Sequence, residues 1–276
     1  MKRKLSILLV LTMFAAMLLT ACGTKNDDSA QGTFKVGMEA GYAPFNWTQK
    51  DNSNGAVQIE GTQEYAGGYD VEIAKKIAAA MGKKLVIVKT EWDGLVPALT
   101  SGKIDAIIAG MSPTAERKKT IDFSKNYYKS NLVMVVKKGS KYETAKSIQD
   151  FSGAKITAQL NTFHYTVIDQ IKGVNKQAAM DNFPAMRVAL ESGVIDGYVS
   201  ERPEGVSAST ANQKFALVEF ANGSGFVTSD DDTAVAVGVA KGSPLTEKIN
   251  EVLSGISEAD QKAIMDTAIK NQPAAQ

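Results

Sequence analysis

Thiol and imidazole chemistry is almost missing from this chain: in 276 residues there is one cysteine, Cys22, and one histidine, His164. A lone cysteine excludes a disulfide within the chain, so the fold stands on its buried core. A lone histidine leaves no His/Cys cluster at metal-ligand spacing, and there is no Gly-x-Ser-x-Gly elbow. Ser152-Gly153-Ala154-Lys155 fits a Ser-x-x-Lys pattern, but it precedes an expected strand and has no partner motif, so it reads as chance. An excess of one sign of charge is also missing. The net charge is +1, which gives no global case for a nucleic-acid partner. No metal, no cofactor and no catalytic residue are expected, and no short-period repeat is visible. What remains is ordinary for a globular protein: 44% hydrophobic and 22% charged residues, in a length that suits one large domain or two small ones.

The first residues carry an address rather than a fold. Lys2-Arg3-Lys4 is a basic n-region, and Leu5 to Leu18 is an apolar h-region, short for a spanning helix. Leu19-Thr20-Ala21-Cys22 has the form of a bacterial lipobox. The expectation is a lipoprotein signal peptide over 1–21, lipidation at Cys22 and a small, polar, flexible tether over 22–32. The protein is then exported and lipid-anchored to the outer face of the cell membrane. The competing reading is an uncleaved anchor with an incidental cysteine.

The most informative stretch runs from Asp105 to Lys119. Ala106 to Ala109 is a short apolar run, suited to a strand buried on both faces. Gly110 turns the chain, Ser112 and Thr114 are N-cap residues, and Pro113 suits a first helical position. Arg117, Lys118 and Lys119 then fall in or just after the first turn of the expected helix, where the dipole disfavours cations by roughly 0.3–1 kcal/mol each. An anion held between the turn's N–H groups and the Arg117 guanidinium would resolve the conflict. Solvated surface charge is the other reading, adopted for Lys118 and Lys119 and left open for Arg117.

Around this stretch, strand and helix patterns alternate. Strands are expected at Phe34–Met38, Leu85–Val88 and Leu132–Val136, and helices from Tyr69-Asp70 to Gly82 and over Asp93–Ser101. Asp51 to Gly68 reads as a surface hairpin or insertion. The pattern then restarts with a strand at Ala154–Ala158, a helix over Thr162–Ile171 and a strand near Gln177–Met180. A helix at Ala185–Ser192 and a strand at Ile195–Val199, ending on Ser200-Glu201, follow. Ala234–Val239 is a further strand, and amphipathic helices at Leu245–Leu253 and Glu258–Ile269 close the chain. Such alternation implies parallel sheets with right-handed crossovers. The expected class is α/β with two lobes: lobe 1 over 33–133, lobe 2 over 134–235 and a return to lobe 1 over 236–276. The strands near Leu132 and Val235 are expected to make the crossings.

An ordered set of motifs adds to this. Val36-Gly37, Tyr42-Ala43-Pro44-Phe45, Gly68-Tyr69-Asp70-Val71 and Trp92-Asp93-Gly94-Leu95-Val96-Pro97-Ala98-Leu99 are followed by Gly102-Lys103-Ile104-Asp105 and Thr114-Ala115-Glu116-Arg117. Together they resemble the polar amino-acid group of the bacterial extracellular solute-binding proteins, family 3, over nearly all of the chain after the leader. The resemblance implies a type II periplasmic-binding-protein-like fold with a two-strand hinge. It implies a free amino acid as ligand, and as partner the membrane permease of an ABC importer with its cytoplasmic ATPase. A monomer is expected.

The resemblance also implies roles. Arg117 meets the ligand's α-carboxylate, for which its fork of donors is suited. Glu201, the Gly110 carbonyl and Ser112 meet the α-ammonium; the family more often has Asp where Glu201 stands. Thr162 opens the second lobe's anion site, with Asn161 in place of the usual Gly and Phe163, a cleft wall or simple packing, in place of a small hydroxyl residue. Tyr42 and Tyr69 match the family's aromatic walls, Tyr69 having a core reading as well. Glu39 matches a position, often Asp, that reaches the ligand's distal group. A carboxylate there favours lysine, arginine or histidine, while an amide-bearing ligand such as glutamine also donates to it. Trp92 either borders the pocket or, the reading adopted, packs at the start of its helix, and His164 is expected to be structural or exposed. Two other classes stay open: a related dehydratase-type enzyme with Glu39 or Glu201 as the acid, and a sensory amino-acid receptor.

Overall fold

The fold begins at β1 (Thr33–Met38), where Phe34, Val36 and Met38 are fully buried. This is a computed structural model, and it describes residues 32–273. The leader, Cys22 and the tether up to residue 31 lie outside the described residues. Among the described residues no helix is long and apolar enough to cross a membrane.

After β1, the segment expected as an insertion folds into a small antiparallel sheet of β2 (Gly41–Tyr42), β3 (Asn46–Gln49), β4 (Val57–Gln58) and β5 (Tyr65–Gly67). Helix α1 (Tyr69–Ala80) buries Val71, Ile73, Ala74, Ile77 and Ala78, the stripe its sequence spacing displays. Its start requires Gly68. At φ +124 a Cβ there would lie 2.3 Å from the Phe45 carbonyl oxygen, so only glycine fits. β6 (Lys84–Lys89), α2 (Leu95–Thr100), β7 (Ala106–Ile107), the single-turn α3 (Arg117–Thr120) and β8 (Asp122–Lys129) complete the first pass through lobe 1.

Lobe 2 holds β9 (Leu132–Lys137), β10 (Lys155–Thr157), α4 (Phe163–Val167), β11 (Asn175–Lys176), α5 (Phe183–Ser192), β12 (Gly197–Glu201), α6 (Arg202–Ala211) and β13 (Phe215–Val218). β14 (Ala234–Val239), α7 (Leu245–Ser254) and α8 (Glu258–Asn271) return to lobe 1.

Each lobe is a mixed sheet, in the orders β6-β1-β7-β14-β8 and β11-β10-β12-β9-β13, not the parallel sheet expected. β1 runs parallel to β6 and β7, and β10 parallel to β11 and β12. β14 is antiparallel to β7, and β9 antiparallel to β12. The reason is the double crossing. A strand arriving from the other lobe enters at the cleft edge, where the parallel strands end, and so must run against them. β9 and β14 each lie wholly in one sheet, which corrects the expectation that they cross. The crossings are Ser130-Asn131 and the segment 219–233. They lie side by side, with the Ser130 N–H donating to the Thr233 carbonyl at 3.0 Å.

One local expectation fails, and one strand has no counterpart in the sequence reading, both for physical reasons. The helix after Gly110 shrinks to α3, one turn long. A single turn sums little dipole, so the conflict at Arg117 that the sequence suggested largely disappears. β8 was not anticipated, because its DFSKNYYK sequence does not alternate, and its pairing to β14 slips register twice. Lys118 and Lys119 form exposed ion pairs with Asp231 and Glu116, as surface charges do.

Candidate functional site

The loops at the carboxyl ends of β1 and β7 meet those of β10 and β12 across the cleft, where open α/β sheets bind ligands. Contacts join the lobes directly. Gln159 Nε2 lies 3.2 and 3.1 Å from the two Glu39 carboxylate oxygens, and Arg117 Nη2 donates to the Asn161 carbonyl at 3.2 Å. Asn161 Nδ2 donates to Asp93 Oδ1 at 2.9 Å. The Tyr42 ring is sandwiched between Phe45 of its own lobe, 4.9 Å away, and Phe183 of the other, 4.4 Å away.

Arg117 is set by the turn before it. Its backbone N–H meets Thr114 Oγ1 at 3.4 Å, and Nη1 donates to the Ser112 carbonyl at 2.9 Å. The guanidinium lies 5.0 Å above the Trp92 ring, a cation–π contact. Burial lowers its pKa to about 10, which leaves it charged at neutral pH. Ser112 is buried and donates through Oγ to the Asp232 carbonyl at 2.9 Å, tying the turn to the second crossing.

Gly110 holds φ +62, and a Cβ there would lie 2.6 Å from Tyr42 Cε1, so this turn too requires glycine. A buried network supports it. Gly110 N–H donates to the Tyr127 hydroxyl at 3.3 Å, and that hydroxyl donates to Asp70 Oδ1 at 2.7 Å. Asn46 Nδ2 donates to Asp70 Oδ2 at 2.8 Å. Burial raises Asp70 to about 6 against the pull of these bonds.

Tyr42, Gly110, Ser112, Arg117 and Thr162, all expected at the site, line one cavity of about 10 Å³. That is room for about one water molecule, so an amino acid enters only if the lobes part. Thr162 is buried and donates to the Gln159 carbonyl at 2.7 Å rather than capping its helix. Glu39 lies behind Gln159 and lines a separate interlobe groove of about 780 Å³. Burial raises its carboxyl to about 7, with Gln159 pulling the other way.

Glu201 ends β12 fully inside lobe 2, and His164 stands against it, with Nε2 3.4 Å from Glu201 Oε1. Neither side chain has a hydrogen-bond partner among the described residues. The Tyr42 hydroxyl is a third buried polar group without one. Burial, then Glu204, raises Glu201 to about 8; burial, then Arg117, lowers His164 to about 3.

Tyr69, like Glu39 and Glu201, is not among the residues that line this cavity. It is fully buried in lobe 1, donates its hydroxyl to the Tyr127 carbonyl at 2.7 Å and stacks on that ring at 5.9 Å. It stands on the buried stripe of α1, which favours its core reading over that of an aromatic wall.

The sequence offers no site role for His164 and two readings each for Trp92 and Phe163; all three line the cavity, with the Phe163 ring 4.3 Å from that of His164. Gln159 and Phe183 went unnoticed. Their signal is tertiary: Glu39 and Gln159 are 120 residues apart and meet only when the lobes do.

The family model of the bacterial extracellular solute-binding proteins, family 3, matches residues 34–268. The chain belongs to this family. Among relatives, a probable histidine-binding protein of Campylobacter jejuni is 32% identical over 98% of each chain. An arginine-binding extracellular protein of Bacillus subtilis is 28% identical over 91% of this chain and 92% of its own. The crystal structure of an amino acid ABC transporter substrate-binding protein from Streptococcus pneumoniae, bound to L-arginine, superposes with a TM-score of 0.76. It is 27% identical, over 87% of this chain and 94% of its own. In this family-3 protein the cleft cavity is lined by the Arg117 guanidinium and by the rings of Tyr42, Trp92, Phe163 and Phe183, with the buried Glu39 carboxyl on the neighbouring groove. Those groups suit a small zwitterion with a distal polar end.

Proposed function

We propose that this chain is the substrate-binding lipoprotein of an amino-acid ABC importer, which captures one free L-amino acid between its lobes and delivers it to the membrane permease. One observation carries the reading. The Arg117 guanidinium lies in the cleft bonded only to two backbone carbonyls, and among the described residues no carboxylate stands within ion-pair distance of it. A charge so held calls for an anion, and the α-carboxylate of an amino acid supplies one in bidentate geometry. Glu201, with the Gly110 carbonyl and Ser112, receives the α-ammonium. Thr162 lines the second lobe's side, Tyr42 flanks the ligand's stem, and Glu39 meets its distal group.

The ligand is cationic on this reading: arginine, lysine or histidine. The buried Glu39 carboxyl supports that, as do relatives named for arginine and histidine. Glutamine is the second reading, because a carboxyl raised to about 7 can also donate to a neutral amide. Binding shifts the hinge equilibrium toward the closed form that the permease reads. The protein binds without turnover, acts as a monomer, and is held to the outer face of the membrane by lipid on Cys22.

Titration calorimetry with the proteinogenic L-amino acids, then mass analysis of the recovered ligand, tests this. A cationic amino acid should bind with a Kd near micromolar, about −8 kcal/mol, and return unchanged. No binding, or a converted ligand, refutes it. Replacing Cys22 by serine should release the protein from membranes in fractionation.

A further inference from the structure

The contact between Glu39 and Gln159 goes beyond the roles assigned above. Gln159 is 3% exposed and lines the cavity that Arg117 borders. Its side-chain amide has two hydrogens. One goes to the Asp181 carbonyl at 3.0 Å; the other is shared by both Glu39 oxygens, at 3.2 and 3.1 Å. The Gln159 backbone is pinned as well. Its carbonyl accepts from Thr162 Oγ1 at 2.7 Å, and it bridges to Met180. The amide is therefore a fixed donor, held by lobe 2 between the two oxygens of a lobe 1 carboxylate that is 6% exposed. If Glu39 is the distal subsite, the amide makes the bond to it that a ligand's distal N–H would make.

We infer that Gln159 is a specificity-determining residue: its amide is a built-in surrogate for the ligand's distal donor, bonding Glu39 whenever the ligand brings none. The inference rests on the reading of Glu39 as the distal subsite.

Its consequence is tolerance. A cationic ligand takes Glu39 for itself and must displace or share the amide, so part of its gain is lost. A ligand with no distal donor leaves the Gln159–Glu39 bond in place, so the cleft still closes without a bare buried carboxylate. Both effects narrow the preference for cations.

The test compares L-arginine with L-methionine, whose straight side chain carries no distal N–H, by calorimetry on the full chain. Gln159→Met keeps the bulk and removes the donor. Arginine should bind at least as tightly as before and methionine more weakly, raising the arginine-to-methionine affinity ratio by about tenfold or more. Gln159→Leu should do the same, and in a Glu39→Gln background neither change should move the ratio. Thermal midpoints report whether each variant folds. A ratio that stays constant or falls, in a wild-type protein that does bind arginine, overturns this inference alone. A wild-type protein that binds neither ligand overturns it together with the reading beneath it.

Discussion

Nε2 of His164 stands 3.4 Å from Oε1 of Glu201, and both side chains are buried. With Glu201 raised to about 8 and His164 lowered to about 3, this is a carboxylic acid against a neutral imidazole at pH 7, not an ion pair. The two shifts bear on stability with opposite signs. Folded Glu201 keeps a proton that the unfolded chain has lost, so its contribution destabilises progressively as pH rises from 4.5 to about 8. Folded His164 refuses a proton that the unfolded chain takes up, so it destabilises as pH falls from 6.5 toward 3.

A ligand ammonium at Glu201 favours the ionised form, so binding should release a proton below pH 8. Calorimetry at pH 6 in buffers of different ionisation enthalpy should find about one proton released with a neutral amino acid, and more with a cationic one, since Glu39 also titrates, near 7. Apparent affinity should climb with pH and level off above about 8. Glu201→Gln should abolish the release with a neutral ligand. Release that survives this change places the titrating group elsewhere.

Glu39→Gln should separate ligands by charge. Removing a buried carboxylate opposite a cation typically costs about 3–5 kcal/mol, so arginine or lysine should weaken about a hundredfold or more. A ligand without a distal charge should change little. Equal weakening of both classes would show that Glu39 supports the fold of the cleft rather than reading the side chain.

Tyr69→Phe distinguishes core from site. The hydroxyl serves only the Tyr127 carbonyl, so its loss should lower stability by about 1–2 kcal/mol and the melting temperature by a few degrees. Affinity should be unchanged. A large drop in affinity at unchanged melting temperature would return Tyr69 to the cleft.

How much of this was legible in the sequence follows from the range of each interaction. Local signals carried well: the apolar stripe of α1, the strand-turn from Ala106 to Ser112 and the basic residue after it all reappear. β8 was hidden because its pairing with β14 spans more than 100 residues and its sequence does not alternate. The antiparallel strands were hidden because their direction depends on where the chain re-enters a lobe. At the site, Arg117 announced itself by an apparent breach of a helix rule, although the helix proved too short for the rule to bind. Gln159, Phe183 and the Glu201–His164 contact depend on lobe closure or interior packing, which no local pattern encodes. Tyr69 carries two readings in the sequence because one motif serves both the core and the cleft edge.

The central claim is that Arg117 holds the α-carboxylate of a free amino acid, and one titration bears on it most directly. Wild-type protein and Arg117→Ala are each titrated with the tightest-binding L-amino acid and with its α-carboxamide. Wild type should prefer the free acid by about a hundredfold or more, and Arg117→Ala, still folded by its melting curve, should lose that preference along with most of its affinity. Near-wild-type affinity in the folded variant, or an undiminished preference for the carboxylate, would contradict the assignment.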